Sequence, residues 1–143
     1  MNPLKLSLAG FLSYRDPVEL DFRSLDLACI SGPNGAGKSS LLDAMTWALF
    51  GIARQRDDSL INSQSNFAEV ILTFAYEGNI YRVQRTKAKE KPTRLEFYIL
   101  QSGELDQNGD AVWKPLTEHS MRDTQARIQT TLRMDYETFI NAS

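Results

Sequence analysis

Gly32-Pro33-Asn34-Gly35-Ala36-Gly37-Lys38-Ser39 has the spacing G-x-x-x-x-G-K-[ST] of a loop that cradles phosphate. The residue types account for that chemistry. Gly35 and Gly37 let the backbone curl so that its N–H groups converge on phosphate oxygens. A helix starting there adds its free N–H groups and the positive end of its dipole to the same anion. Lys38 can reach the β- and γ-phosphates, and the Ser39 hydroxyl can take one Mg²⁺ coordination position. A serine-capped glycine turn that binds nothing is the alternative, and the flanking elements decide between the two.

Before the loop, Leu25-Asp26-Leu27-Ala28-Cys29-Ile30-Ser31 is a short apolar run with the character of a buried strand. After it, Lys38 to Phe50 is free of Gly and Pro and rich in helix formers. Leu41, Met45 and Ala48 share one face of that helix, with Leu42 and Leu49 beside them, and Gly51 is its stop signal. Strand, loop and helix occur in the order phosphate binding requires.

The remaining elements frame this unit. Leu4, Leu6 and Leu8 alternate with polar or small residues, predicting a half-buried strand that starts almost at Met1. Gly10 to Pro17 turns the chain, and Val18 to Phe22 alternates again, so the two runs can pair antiparallel. Ala53 to Asn66 is polar and irregular, anchored by Leu60 and Ile61, and its place after the helix puts it near the phosphates or the base. Phe67–Tyr76 and Ile80–Arg85 predict a hairpin around Glu77-Gly78-Asn79. Thr93–Gln101 and Ala111–Lys114, joined through a turn at Asp106–Asp110, extend a meander rather than βαβ units. Thr117–Ser120 starts a helix that continues to Leu132, with Met121, Gln125 or Ala126, Ile128 and Leu132 near helical spacing. Asp135 can cap a last short helix through Tyr136, Phe139 and Ile140.

The chain of 143 residues is long enough for one domain with a real core, and 42% hydrophobic and 24% charged residues are ordinary for a globular protein. A formal net charge of -2 gives no global attraction to nucleic acid, so such contact needs a local patch. The candidate is Arg85, Lys87, Lys89 and Lys91, which fall at every second residue and would line one face of an extended chain. Such a stripe either tracks a phosphate backbone or is a solvated edge whose lysines discourage strand pairing. Cys29 is the single cysteine, which excludes an internal disulfide and fits a reducing compartment. No apolar stretch is long enough to span a bilayer and the N-terminus lacks a signal-peptide pattern, so the expected location is cytoplasmic. His119 has no metal-ligand neighbours and is expected at the surface or in a cap, and no Ser-His-Asp set or metal-binding cysteine pattern occurs.

Taken together, Phe11-Leu12-Ser13-Tyr14, Val18-Glu19-Leu20-Asp21-Phe22 and Gly32 to Ala44 resemble the amino-terminal half of SbcC-type ATPases. These are bacterial relatives of the double-strand-break repair ATPase of archaea and eukaryotes, within the SMC-like ABC group. Val70 to Phe74, Tyr81 to Arg85 and the closing Tyr136 to Ser143 resemble the same family, so the likeness spans essentially the whole chain. SMC proteins tend to have Asn where Ser40 stands. The RecF-like branch usually has Thr at Ser39 and Glu at Asp43. One departure from the repair family is Leu12, where an Arg is often found.

The resemblance implies an α/β fold of the P-loop NTPase type: the N-terminal lobe of a split ABC/SMC-type head, with an antiparallel meander packed on the Walker A helix. It implies that residues 1–143 stop before the Q-loop, the coiled coil and the C-terminal lobe with its signature motif and Walker B carboxylates. Gly32, Pro33, Asn34, Gly35, Ala36, Gly37, Lys38, Ser39 and Ser40 would hold ATP, with Lys38 stabilising charge and Ser39 on Mg²⁺. The implied partners are the chain's own C-terminal lobe, a second head in an ATP-sandwiched dimer, an SbcD-type nuclease and double-stranded DNA. The implied location is the nucleoid, with no membrane. ATP hydrolysis in the dimer would be coupled to DNA-end binding and control of the nuclease in double-strand-break repair, and this segment alone would be nearly inactive. The competing expectation is an SMC-like nucleotide-gated DNA clamp acting in chromosome organisation or recombination without a nuclease.

Overall fold

The computed structural model describes residues 1–23 and 35–142, apart from the side chains of residues 35–39, 102 and 142. The strand expected at Leu25–Ser31, with Cys29, and the first part of the glycine loop, Gly32–Asn34, lie outside the described residues. The elements are β1 (Asn2–Ala9), β2 (Val18–Asp21), α1 (Gly35–Phe50), a 3₁₀ turn (Asp57–Leu60), β3 (Phe67–Tyr76), β4 (Asn79–Ala88), β5 (Arg94–Leu105), β6 (Ala111–Pro115), α2 (Met121–Leu132) and α3 (Tyr136–Ala142).

Among the described residues the six strands form one sheet in the order β2-β1-β3-β4-β5-β6, with every neighbouring pair antiparallel. The expected pairing of the first two strands and the expected meander are both present. Period-2 alternation explains why one face is dry: Leu6, Leu8, Val70, Leu72, Phe74, Val83, Leu95 and Phe97 are buried while their neighbours are part-exposed. Each such Leu, Val or Phe contributes about 1.5–3 kcal/mol by leaving water. Phe74, Tyr81 and Phe97 stack across β3, β4 and β5 with successive ring centroids 5.6 Å apart, which fixes the register of the three strands. Between β3 and β4 the turn is two residues long, with Glu77 at φ 48° and Gly78 at φ 81°, the hairpin geometry whose twist matches the strands.

α1 covers the dry face. It ends as expected at Phe50: Gly51 stands at φ 73° and its N–H donates to the Trp47 carbonyl at 2.8 Å. The helix begins at Gly35 rather than Lys38, so its first turn is made from the motif itself. Its burial differs from the expected apolar stripe. Ala44, Trp47, Ala48, Leu49 and Phe50 are buried and Leu41 and Met45 only half-buried, while Leu42 is exposed. Ser40, Asp43 and Thr46 are buried in its place because each finds hydrogen-bond partners off the helix or on its backbone.

α2 starts at Met121, its N-terminus capped by the Ser120 side chain, which accepts from the Asp123 N–H. Its buried stripe is Thr124, Ile128 and Leu132, whereas Met121, expected inward, is exposed. Thr124 takes the core position because its hydroxyl donates to the Ser120 carbonyl at 2.9 Å and accepts from the Glu118 N–H at 3.0 Å. Asp135 caps α3 as expected, accepting from the Thr138 N–H at 2.9 Å, and this bond holds its carboxyl below the usual range. His119 is exposed.

Candidate phosphate-binding site

Gly35, Ala36, Gly37, Lys38 and Ser39 form the first residues of α1, and the first four N–H groups of a helix have no intrahelical acceptor. Those of residues 35–38 therefore sit where the glycine motif requires donors for an anion, at the positive end of a 16-residue helix. That placement fits a nucleotide phosphate. Of the expected phosphate-binding residues, Gly32, Pro33 and Asn34 and the side chains of Lys38 and Ser39 lie outside the described residues.

Ser40 is the motif residue whose side chain is described, and it is 1% exposed. Its hydroxyl lies 3.2 Å from that of Ser13 in the turn after β1 and accepts from Arg54 Nη2 at 3.4 Å. Arg54 belongs to the polar connector after α1, which folds back along the helix. Both the Arg54 backbone N–H and Nε donate to the Asp43 carboxylate, whose side chain is 12% exposed. Thr46 holds the start of the same connector by donating to the Ile52 carbonyl at 2.7 Å. The connector and the first turn are then joined to each other. The Leu12 N–H donates to the Leu60 carbonyl, the Asn62 N–H to the Gly10 carbonyl, each at 2.8 Å, and Asn62 Nδ2 to the Leu12 carbonyl at 2.7 Å. Gly10, at φ 64°, makes this possible, since a Cβ there would stand 2.0 Å from the Phe67 carbonyl oxygen.

Three chain segments thus meet at the first turns of α1, through a polar set of Ser13, Ser40, Asp43 and Arg54. Of the two places the sequence left open for the connector, near the phosphates or near the base, Arg54 puts its start against the first turns of α1. Sequence reasoning missed Asp43, Ser13 and Arg54. The signal available was a carboxylate in the middle of an apolar helix, which must find a partner if it is buried.

The four cations of the basic stripe are not presented on one solvent face. Residues of odd number on β4 point to the core, so Arg85 follows Tyr81 and Val83 inward and is 3% exposed. Its Nε and Nη2 donate to the Ala48 carbonyl at 3.3 and 3.2 Å, and Nη2 also donates to Gln125 Oε1. Gln125 Nε2 in turn donates to the Leu49 carbonyl at 2.8 Å. Both side chains therefore satisfy end carbonyls of α1, where a cation also complements the dipole. Burial pushes the Arg85 pKa down to about 10, which leaves it charged at neutral pH. Lys87 is 7% exposed and donates to Asp58 Oδ1 at 3.0 Å and to the Ala88 and Lys91 carbonyls. This bond from Lys87 holds the Asp58 carboxyl below its ordinary value. β4 ends at Ala88 and Glu90 turns the chain at φ 60°, leaving Lys89 and Lys91 exposed.

Among the described residues no cluster of His, Cys, Asp and Glu could hold a metal ion, and no helix is long and apolar enough to cross a membrane.

A family model described as an AAA domain matches residues 5–142. The chain is 38% identical over 146 residues to the SbcC component of the SbcCD nuclease of Deinococcus radiodurans, across 97% of this chain and 15% of that protein. It is 34% identical over 150 residues to the DNA double-strand break repair Rad50 ATPase of Halobacterium salinarum, across 100% of this chain and 15% of the relative. Identity to the probable Rad50 ATPase of Aquifex aeolicus is 38% over 108 residues, across 72% of this chain and 11% of the relative. The chain thus spans less than one sixth of the length of these relatives.

Proposed function

Because the chain belongs to the AAA domain family, we propose that it is the nucleotide-binding N-terminal part of an SbcC/Rad50-type ATPase head. The observation that carries this reading is the helix that starts inside the glycine motif, at Gly35, and is packed on the antiparallel sheet through Ala44, Trp47 and Ala48. Gly32 to Ser40 would hold the triphosphate, with Lys38 neutralising charge on its outer phosphates and Ser39 holding Mg²⁺. The chemistry that Mg²⁺ would supply there is charge neutralisation of the phosphates. The chain's own part is to bind and orient: the amides of residues 35–38 would donate to the anion, and Ser13, Asp43 and Arg54 fix the turn of α1 that carries Ser40.

In the ABC/SMC-type arrangement we propose, the water-orienting base comes from the C-terminal lobe of the same protein. A second copy of the head covers the γ-phosphate, so ATP favours the closed dimer over the open one and acts as a switch. The names of the relatives, a nuclease component and DNA double-strand break repair ATPases, support a role in handling DNA ends beside an SbcD-type nuclease. Double-stranded DNA is the proposed nucleic-acid partner. Lys89 and Lys91 are the residues of the basic stripe left exposed to meet it.

Light scattering of the full-length protein, with and without Mg·ATP, tests the switch. A doubling of mass with ATP that Lys38→Ala abolishes is the expected result. A protein that binds ATP yet keeps its mass would refute the sandwiched dimer.

A further inference from the structure

The sheet face turned away from α1 carries a second concentration of chemistry. Arg82 lies there, paired across the strands with Tyr98. Its guanidinium carbon stands 4.7 Å from the centroid of the Tyr98 ring and 4.6 Å from that of Trp113, so two aromatic rings hold the cation in place. Its Nε is buried and has no hydrogen-bond acceptor among the described residues. With Nε covered, an incoming acceptor would meet the Nη groups of a guanidinium whose position the two rings already fix.

Beside Arg82 is a hollow of about 410 Å³, lined among others by Lys5, Arg23, Ile71, Leu100 and Trp113, and among the described residues no carboxylate lines it. Lys5 already pairs with Glu19 at 3.0 Å and Arg23 with Asp21 at 3.1 Å. Arg82, by contrast, has no carboxylate within ion-pair distance among the described residues, and Glu96 nearby is engaged by the Tyr98 hydroxyl. The hollow therefore joins an aliphatic floor to a preorganised cation that has no carboxylate partner among the described residues.

We propose that this hollow is a docking site for an extended, carboxylate-bearing segment of a partner protein. Arg82 takes the carboxylate, and Ile71, Leu100 and Trp113 take the apolar side chain next to it. Charge complementarity selects the acid, since the fork of an arginine matches a carboxylate in two parallel hydrogen bonds. The aliphatic floor, and the fact that Lys5 and Arg23 already carry carboxylates, favour a protein segment over a nucleic-acid backbone. Since the hollow is on the face opposite α1, it is independent of nucleotide chemistry.

Fluorescence anisotropy on the full-length protein tests it, with a labelled short peptide of alternating Asp and Val as the probe. The same peptide with Asn for Asp, inorganic phosphate and a single-stranded oligothymidylate serve as comparisons. The Asp peptide is expected to bind at least about tenfold more tightly than the Asn peptide, and Arg82→Gln to remove that difference. Ile71→Glu, an outer-face change that keeps Arg82, should weaken the Asp peptide by a similar factor and leave ATP binding unchanged. Equal binding of the two peptides, or Asp-peptide binding unaffected by both variants, overturns the proposal. So does displacement of the Asp peptide by the oligonucleotide or by phosphate alone at lower concentration than by unlabelled peptide.

Discussion

Replacing Gly10 by Ala separates backbone freedom from close approach, because Gly78 supplies a control. Both glycines have positive φ, 64° and 81°, so an added Cβ costs about 1–2 kcal/mol at either position through the left-handed conformation alone. At Gly78 nothing lies within 4 Å of that Cβ, and the cost stops there. At Gly10 the Cβ would stand 2.0 Å from the Phe67 carbonyl oxygen, a backbone atom within β3, so the turn must move by about an ångström or more. That movement breaks the bonds from Asn62 N–H to the Gly10 carbonyl and from Gly10 N–H to the Arg15 carbonyl, at 2.8 and 3.1 Å, worth about 0.5–1.5 kcal/mol each. Gly10→Ala should therefore destabilise by about 2–5 kcal/mol and Gly78→Ala by about 1–2 kcal/mol. Urea unfolding monitored by tryptophan fluorescence reads both. Because the turn carries Ser13 to Ser40, Gly10→Ala should also weaken ATP binding in the fraction that remains folded, and Gly78→Ala should not. Equal losses of stability at the two sites would refute the reasoning.

Arg85→Met removes the donor to the Ala48 carbonyl and to Gln125 while relieving the cost of a buried cation, for a net loss of about 1–3 kcal/mol in chemical denaturation. Asp58 has a folded-state pKa below its unfolded value of 3.8, so its stabilising contribution is complete above that value and is lost as pH falls through the folded pKa. Acid unfolding followed by circular dichroism should accordingly be shallower below pH 3.8 in Asp58→Asn than in the parent. Lys89→Gln with Lys91→Gln should lower affinity for double-stranded DNA and reduce the slope of log K against log salt by about two, without changing stability. A loss of stability with an unchanged salt slope would show the two lysines to be structural.

The sheet was legible because its signal is local. Val70-Leu72-Phe74 and Tyr81-Val83 carry the period of a half-buried strand, and Glu77-Gly78 supplies the turn residues that join them. The helix end at Gly51 and the cap at Asp135 were legible for the same reason. What escaped depends on partners distant in the chain. Asp43 and Ser40 are buried because Arg54 and Ser13, 11 and 27 residues away, meet them, and no helical periodicity encodes that. The basic stripe shows a conflict of two signals: Arg85 and Lys87 share the parity of Tyr81 and Val83, which placed them inward, while their charge argued for solvent. Burial won because the α1 end carbonyls and Asp58 were there to receive them. Leu42 and Met121 differ in the opposite sense, standing exposed despite their apolar character.

Equilibrium binding of a fluorescent ATP analogue to the full-length protein, with and without Mg²⁺, tests whether the glycine loop holds nucleotide. Saturable, Mg²⁺-strengthened binding is expected, abolished by Lys38→Ala while the fold, followed by circular dichroism, is unchanged. Binding of equal affinity in Lys38→Ala, or none in the parent protein, would contradict it.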